Sequence, residues 1–169
     1  MRRRAALAAA VLGLPWALGA CGFRLRGGQA YGFERIRVLP QPGGPLTQEL
    51  RRSFGATVRV LEADDPVDLA QLVLDVLQEQ REKTVVGVNA SGQVREFQLR
   101  IRLRFQVRTP DGRELIPPTE LLQRRDISFN ESAVLAKEAE EGLLYRDMQS
   151  DLVQQLLRRL AALRLPAGT

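Results

Sequence analysis

Histidine is absent from all 169 residues. A metal site would have to be built from carboxylates alone, and the commonest acid–base side chain near neutral pH is missing. Cysteine occurs once, at Cys21, so no disulfide can close within the chain. There is no Gly-x-Ser-x-Gly elbow and no glycine-rich phosphate loop. The carboxylate pair Asp64-Asp65 lies in an acidic, proline-containing stretch with nothing beside it to tune a pKa. These absences argue against an enzyme. Lysine is scarce as well: only Lys83 and Lys137, every other cation being arginine. Arginine grips phosphate and carboxylate with two prongs where lysine cannot, although a GC-rich genome would produce the same bias.

The amino terminus carries Arg2-Arg3-Arg4, an apolar run from Ala5 to Leu14, and then Leu18-Gly19-Ala20-Cys21. A positive region, an apolar region and small residues before a cut make up a secretory signal. Pro15 breaks the run, which falls short of the ~20 apolar residues that a spanning helix needs. The last four residues resemble the lipobox of bacterial lipoproteins, in which the cysteine thiol receives a diacylglycerol and the new amino group is acylated. The expectation is a signal peptide over residues 1–20, lipidation at Cys21, a tether over 21–32, a single domain over 33–165 and a frayed tail over 166–169. Gly22 stands where the lipoproteins of Gram-negative bacteria can carry an inner-membrane retention aspartate, so the resemblance implies the outer membrane. The whole chain has 25 basic and 20 acidic residues. Removing the leader takes three arginines and no acid, leaving 22 against 20, net +2. No nucleic-acid partner is expected from so small an excess.

Periodicity organises the remainder. Ile36 and Val38 alternate with Arg35 and Arg37, predicting a strand over 33–39. Leu46, Leu50 and Phe54 step by four, predicting a short helix that Gly55 ends. Residues 57–61 allow a short strand. A long strand is predicted over 69–88, with Leu72, Leu74 and Val76 on one face. The clearest strand is 94–108, where Phe97, Leu99, Ile101, Leu103, Phe105 and Val107 alternate with Gln98, Arg100, Arg102, Arg104, Gln106 and Arg108. A hairpin tip at Ala90-Ser91 would pair Leu74 with Val107, Val76 with Phe105, Asp75 with Gln106 and Glu79 with Arg102. Thr109-Pro110-Asp111-Gly112 predicts a second turn. Residues 121–129 predict a further strand, with Pro117-Pro118 interrupting the pairing before it. From Ser132 to Leu163 the period becomes helical. Leu144, Met148, Leu152, Leu156 and Leu160 form one stripe, Asn130 can cap the start, and Gly142 is a candidate kink. The stripe is needed to cover an apolar sheet face, so a two-layer domain is expected.

Several segments together resemble one family. They are Cys21-Gly22-Phe23-Arg24-Leu25-Arg26-Gly27, the hairpin segment Ser91-Gly92-Gln93-Val94-Arg95-Glu96-Phe97, Leu135-Ala136-Lys137-Glu138-Ala139-Glu140, Arg146-Asp147-Met148, and residues 151–160. In order and spacing they are similar to the LPS-assembly lipoproteins of the LptE family. With the periodicities, the resemblance implies an α/β domain, α+β-like in its two layers: a mixed sheet of about four strands with a long antiparallel hairpin. A short N-terminal and a long C-terminal helix would cover it. It also implies an outer-membrane lipoprotein facing the periplasm, which plugs the β-barrel LptD, binds lipopolysaccharide (LPS) and aids its insertion into the outer leaflet. Palmitate on the N-terminus and no cofactor belong to the same picture.

Lys137 matches the family lysine associated with LPS binding. Some members carry a basic residue at the hairpin tip; here Asn89-Ala90-Ser91 has none, and Arg95, just past it, is the candidate substitute. Three readings stay open for the ladder Arg100, Arg102, Arg104 and Arg108: a solvated face paired across strands with Glu79 and Asp75, a surface meeting the polar lumen of a barrel, and contact with lipid A phosphates. The alternative for the whole protein is an auxiliary lipoprotein of another envelope lipid-transport system, without a barrel partner.

Overall fold

Ile36 and Val38 direct two branched side chains to one side of a five-residue strand, β1 (Arg35–Leu39), and both are completely buried. The computed structural model describes residues 29–165. Helix α1 (Pro45–Ser53) follows, with proline in its first turn, where no intrahelical N–H is lost. Its stripe of Leu46 and Leu50, continued by Phe54, is buried. Gly55 reverses the chain at φ 59°, a conformation that suits glycine. A three-residue strand, β2 (Arg59–Leu61), then pairs parallel to β1.

The sheet is completed by three long strands, β3 (Leu72–Val88), β4 (Val94–Arg108) and β5 (Glu114–Ser128). Their order is β2-β1-β3-β4-β5, with β1 parallel to β3 and the last two junctions antiparallel. There are thus five strands, where about four were expected. The difference is β2, which lies within residues 57–61, where the sequence allowed a short strand. β5 also starts earlier than expected, at Glu114 rather than residue 121, and runs through Pro117-Pro118. It forms one end of the strand order, and its register slips between Ile116 and Thr119, so the prolines cost the ladder little.

After a one-turn 3-10 segment (Glu131–Ala133), helix α2 (Val134–Ala161) runs for 28 residues, roughly 42 Å at 1.5 Å per residue. The Asn130 side chain caps the 3-10 turn by accepting from the Ser132 N–H. The helix continues without a break through Gly142. Met148, Leu152, Val153, Leu156, Leu157 and Leu160 are buried, as the leucine stripe requires. Together with α1 they cover the sheet face formed by Ile36, Val38, Leu72, Leu74, Leu99, Ile101, Leu103, Phe105 and Val107. Each such side chain contributes about 1.5–3 kcal/mol on leaving water. Tyr31, in the segment expected to be tether, packs at 5.3 Å from Phe33 and 5.7 Å from Phe54, centroid to centroid.

The other face is left open by the helices. Among the described residues, its β1–β2 end is crossed by a loop, where Leu61, Ala70 and Val73 form a small second cluster. Arg37 lies buried there, its guanidinium donating to the Glu62 and Asp65 carbonyls. Among the described residues no helix is long and apolar enough to cross a membrane.

One register detail changes the surface chemistry. Leu74 pairs with Val107, Val76 with Phe105 and Asp75 with Gln106, as the hairpin arithmetic expects. At Leu77 the strand bulges, and from Gln78 to Val85 each partner moves by one: Gln78 faces Arg104, Glu79 faces Leu103, Arg81 faces Ile101 and Lys83 faces Leu99. The expected Glu79–Arg102 pair therefore does not form. Glu79, Arg81 and Lys83 turn to the helix-covered side, and Leu77 is left 46% exposed.

Candidate functional site

Those three displaced side chains form a polar row beneath the helices. The Glu79 carboxylate accepts from the backbone N–H groups of Leu46 (2.9 Å) and Thr47 (3.3 Å), and from the Thr47 hydroxyl (3.2 Å). Gly44, the residue before α1, has no side chain with which to cap the helix, so β3 supplies the cap from outside. A Cβ on Gly44 would lie 2.5 Å from the Glu79 carboxylate, which explains the glycine. Arg81 donates to Gln149 and lies over the Tyr145 ring at 5.4 Å. Gln149 in turn donates to Glu49 of α1. Burial, reinforced by the nearby Glu141 carboxylate, raises the Tyr145 pKa above its ordinary value, while its hydroxyl donates to the Glu82 carbonyl at 2.8 Å.

Lys83 ends the row and opens a different environment. Its ammonium sits 2.6 Å from a Glu141 carboxylate oxygen and 4.3 Å from the centre of the Phe97 ring, a cation–π distance. Phe97 meets Phe129 edge to face at 5.3 Å. These groups wall a cleft of about 210 Å³ between the hairpin end of the sheet and the first turns of α2, shared by Ile127, Ser128, Val134, Lys137 and Glu138. Lys137 donates to the Ser128 hydroxyl (3.0 Å) and to Glu140 (2.9 Å). The only two lysines of the chain thus line one cleft. Beyond the Lys83–Glu141 pair a second hollow of about 290 Å³ continues along α2 to Gly142 and Tyr145. Apolar side chains are exposed at the same end, including Leu135 at 80%, Val88 at 60% and Val86. The combination suits an amphiphile: a charged head at the lysines and apolar matter against phenylalanine and isoleucine. A more open hollow of about 510 Å³ beside α1 is lined by Arg51, Arg52 and Glu62 and has no aromatic or branched aliphatic side chain to receive an apolar group.

The other sequence candidates lie elsewhere. Cys21 is outside the described residues. Arg95 is exposed near the hairpin turn, where its guanidinium donates to Gln93 at 3.5 Å, and it does not line the cleft. Arg100, Arg102, Arg104 and Arg108 share the open face of the sheet. Arg108 is bonded to Asp75 at 2.8 Å, and Gln106 donates to the same carboxylate. Arg102 lies 3.7 Å from Glu120, and Arg100 donates to Gln98 at 2.7 Å. Two of the four thus pair across strands, Arg108 with Asp75 as expected and Arg102 with Glu120 in place of Glu79, while Arg100 bonds within its own strand. Lys83 had no sequence signal. After Leu77 the strand reads Gln-Glu-Gln-Arg-Glu-Lys, with no apolar residue to mark which face points inward.

The family model for LptE, lipopolysaccharide-assembly, matches residues 33–160. The LPS-assembly lipoprotein LptE of Pectobacterium atrosepticum is 32% identical over 155 residues, covering 89% of this chain and 82% of the relative. That of Yersinia enterocolitica is 31% identical over 143 residues, covering 83% and 68%. Among solved structures, lipoprotein B from Nitrosomonas europaea superposes with a TM-score of 0.72 at 32% identity, over 83% of this chain and 91% of that one. The match across nearly the whole described domain, in sequence and in fold, places the chain in the LptE family of lipopolysaccharide-assembly proteins.

Proposed function

We propose that this protein is an outer-membrane lipoprotein, moored by acyl chains on Cys21, that binds LPS and plugs the β-barrel LptD. In this reading it helps to assemble the translocon and to pass LPS to the outer leaflet. It acts by binding and not by catalysis. Residues 1–20 are its signal peptide and residues 33–165 its working domain. Three acyl chains exceed the two signals that stable anchoring needs, so the lipid holds the domain at the membrane while the folded part supplies specificity. The observation that carries the reading is the cleft at the hairpin end: Lys137 stands at a cavity walled partly by Phe97, Ile127 and Phe129, in the motif that resembles the family's. The open face, with Arg104 exposed, is the polar surface offered to the barrel lumen, and Arg95 extends the basic character toward the hairpin tip.

Two measurements test this. Replacing Lys137 with Asp should weaken LPS binding by about tenfold, since it removes a charge-assisted contact and adds a repulsion. The far-UV spectrum should be unchanged, because the hydrogen bonds of the Lys137 side chain, to Ser128 and Glu140, are solvent-exposed. Equal binding by variant and wild type refutes the LPS assignment. Affinity capture from solubilised outer membranes should recover a large β-barrel in stoichiometric yield. Its consistent absence would favour the auxiliary-lipoprotein alternative.

A further inference from the structure

Within the cleft two cations, Lys83 and Lys137, face two carboxylates, Glu138 and Glu141, and Glu140 reaches Lys137 from the helix beside it. Each lysine is already occupied, Lys137 by Glu140 and Lys83 by Glu141. The lining therefore has no net positive charge, and neither ammonium is free for an anion. The carboxylates, however, project from α2 on flexible three-torsion side chains, whereas Lys83 stands on the sheet against the Phe97 ring. Glu141 also lines the second hollow, which Lys83 shares and which extends along α2 to Gly142 and Tyr145, so its carboxylate has room there to draw back from the ammonium.

We propose that Lys83 is the second cation of the site, and that Glu141 is an internal competitor that a phosphate on the lipid headgroup must displace. This rests on the LPS-binding reading and adds to it a residue and a gating step. The exchange is one of ion pairs, with no covalent change. The Lys83 ammonium releases the Glu141 carboxylate and takes a phosphate oxygen, while the apolar portion of the ligand lies against Phe97, Ile127 and Phe129. Side-chain exposures of 37% for Lys83 and 22% for Glu141 leave the pair reachable from solvent. The competition makes the site selective: a weak anion cannot open it, and an anion that also brings apolar surface can.

The two partners of one ion pair then have opposite effects on binding. Titrating the protein into fluorescent bisphosphorylated lipid A, with EDTA present so that no divalent ion bridges, should show Lys83→Gln weakening binding by about fivefold. Glu141→Gln should tighten it by about threefold, because it frees Lys83 and removes a repulsion. Lipid A stripped of both phosphates should bind wild type and the two variants alike, and inorganic phosphate alone should give no saturable binding. A purely structural ion pair would shift both variants in the same direction, and that result overturns the proposal. So does unchanged binding by Lys83→Gln when Lys137→Asp has lost it, which leaves the LPS reading intact. If neither lysine variant differs from wild type, the LPS reading of the cleft itself fails, and this inference with it. Matching circular dichroism spectra exclude misfolding as the cause.

Discussion

Replacing Glu79 with Ala separates two descriptions of β3. Simple alternation puts Glu79 on the open face beside Arg102, where an exposed pair contributes about 0.2–1 kcal/mol. The bulge at Leu77 puts it under α1, where its carboxylate accepts from two backbone N–H groups and one hydroxyl. Removing a helix cap costs about 0.5–2 kcal/mol, and a buried donor left without a partner about 1–3 kcal/mol. Partial exposure lets water reclaim some of this loss, so we expect about 2 kcal/mol for Glu79→Ala. Glu79→Gln keeps one acceptor but loses the negative charge at the helix N-terminus, and should cost about 1 kcal/mol. Urea unfolding followed by circular dichroism reads both, with an unchanged m-value confirming two-state behaviour. A double-mutant cycle sharpens the result: Glu79 should couple to Thr47 and not to Arg102. Loss of less than about 0.5 kcal/mol in Glu79→Ala, or measurable coupling to Arg102, would refute the bulged register and return Lys83 to the open face.

Two further expectations concern other parts of the fold. Gly142 sits inside α2 with open space where a Cβ would stand, so Gly142→Ala should stabilise the protein by about 0.5–1 kcal/mol in the same unfolding assay. The Thr109 hydroxyl donates to Asp111 in the β4–β5 turn and holds its carboxyl below the ordinary range. A depressed folded-state pKa contributes stability that is present above the unfolded value, ~3.9, and is lost as pH falls through the folded one. Carboxyl NMR should find Asp111 titrating below that value, and Thr109→Val should raise it.

Wherever apolar and polar residues strictly alternate or step by four, the sequence by itself determined the element. β4 has six apolar residues in strict alternation, and α2 has its leucine stripe. Both are buried as their periods require, because only one side of each element can leave water. The hairpin register from Leu74 to Val76 follows from the same constraint. The family, too, was legible from motif order along the chain. What lacked periodicity was left to tertiary structure. β2 has three residues and exists because β1 offers it a parallel edge. β5 crosses two prolines because it lies at the end of the sheet, where a missing N–H costs little.

The bulge at Leu77 is the consequential case. It inserts Leu77 just before an all-polar run, Gln78 to Lys83, where either register satisfies hydrophobicity equally well, and the packing of α1 and α2 chooses between them. That choice brings Lys83, distant in sequence from Lys137, into the same cleft. The lysines were visible from composition. That they face each other across an apolar cavity was decided by a strand bulge and a helix, neither of which the local sequence around Lys83 encodes.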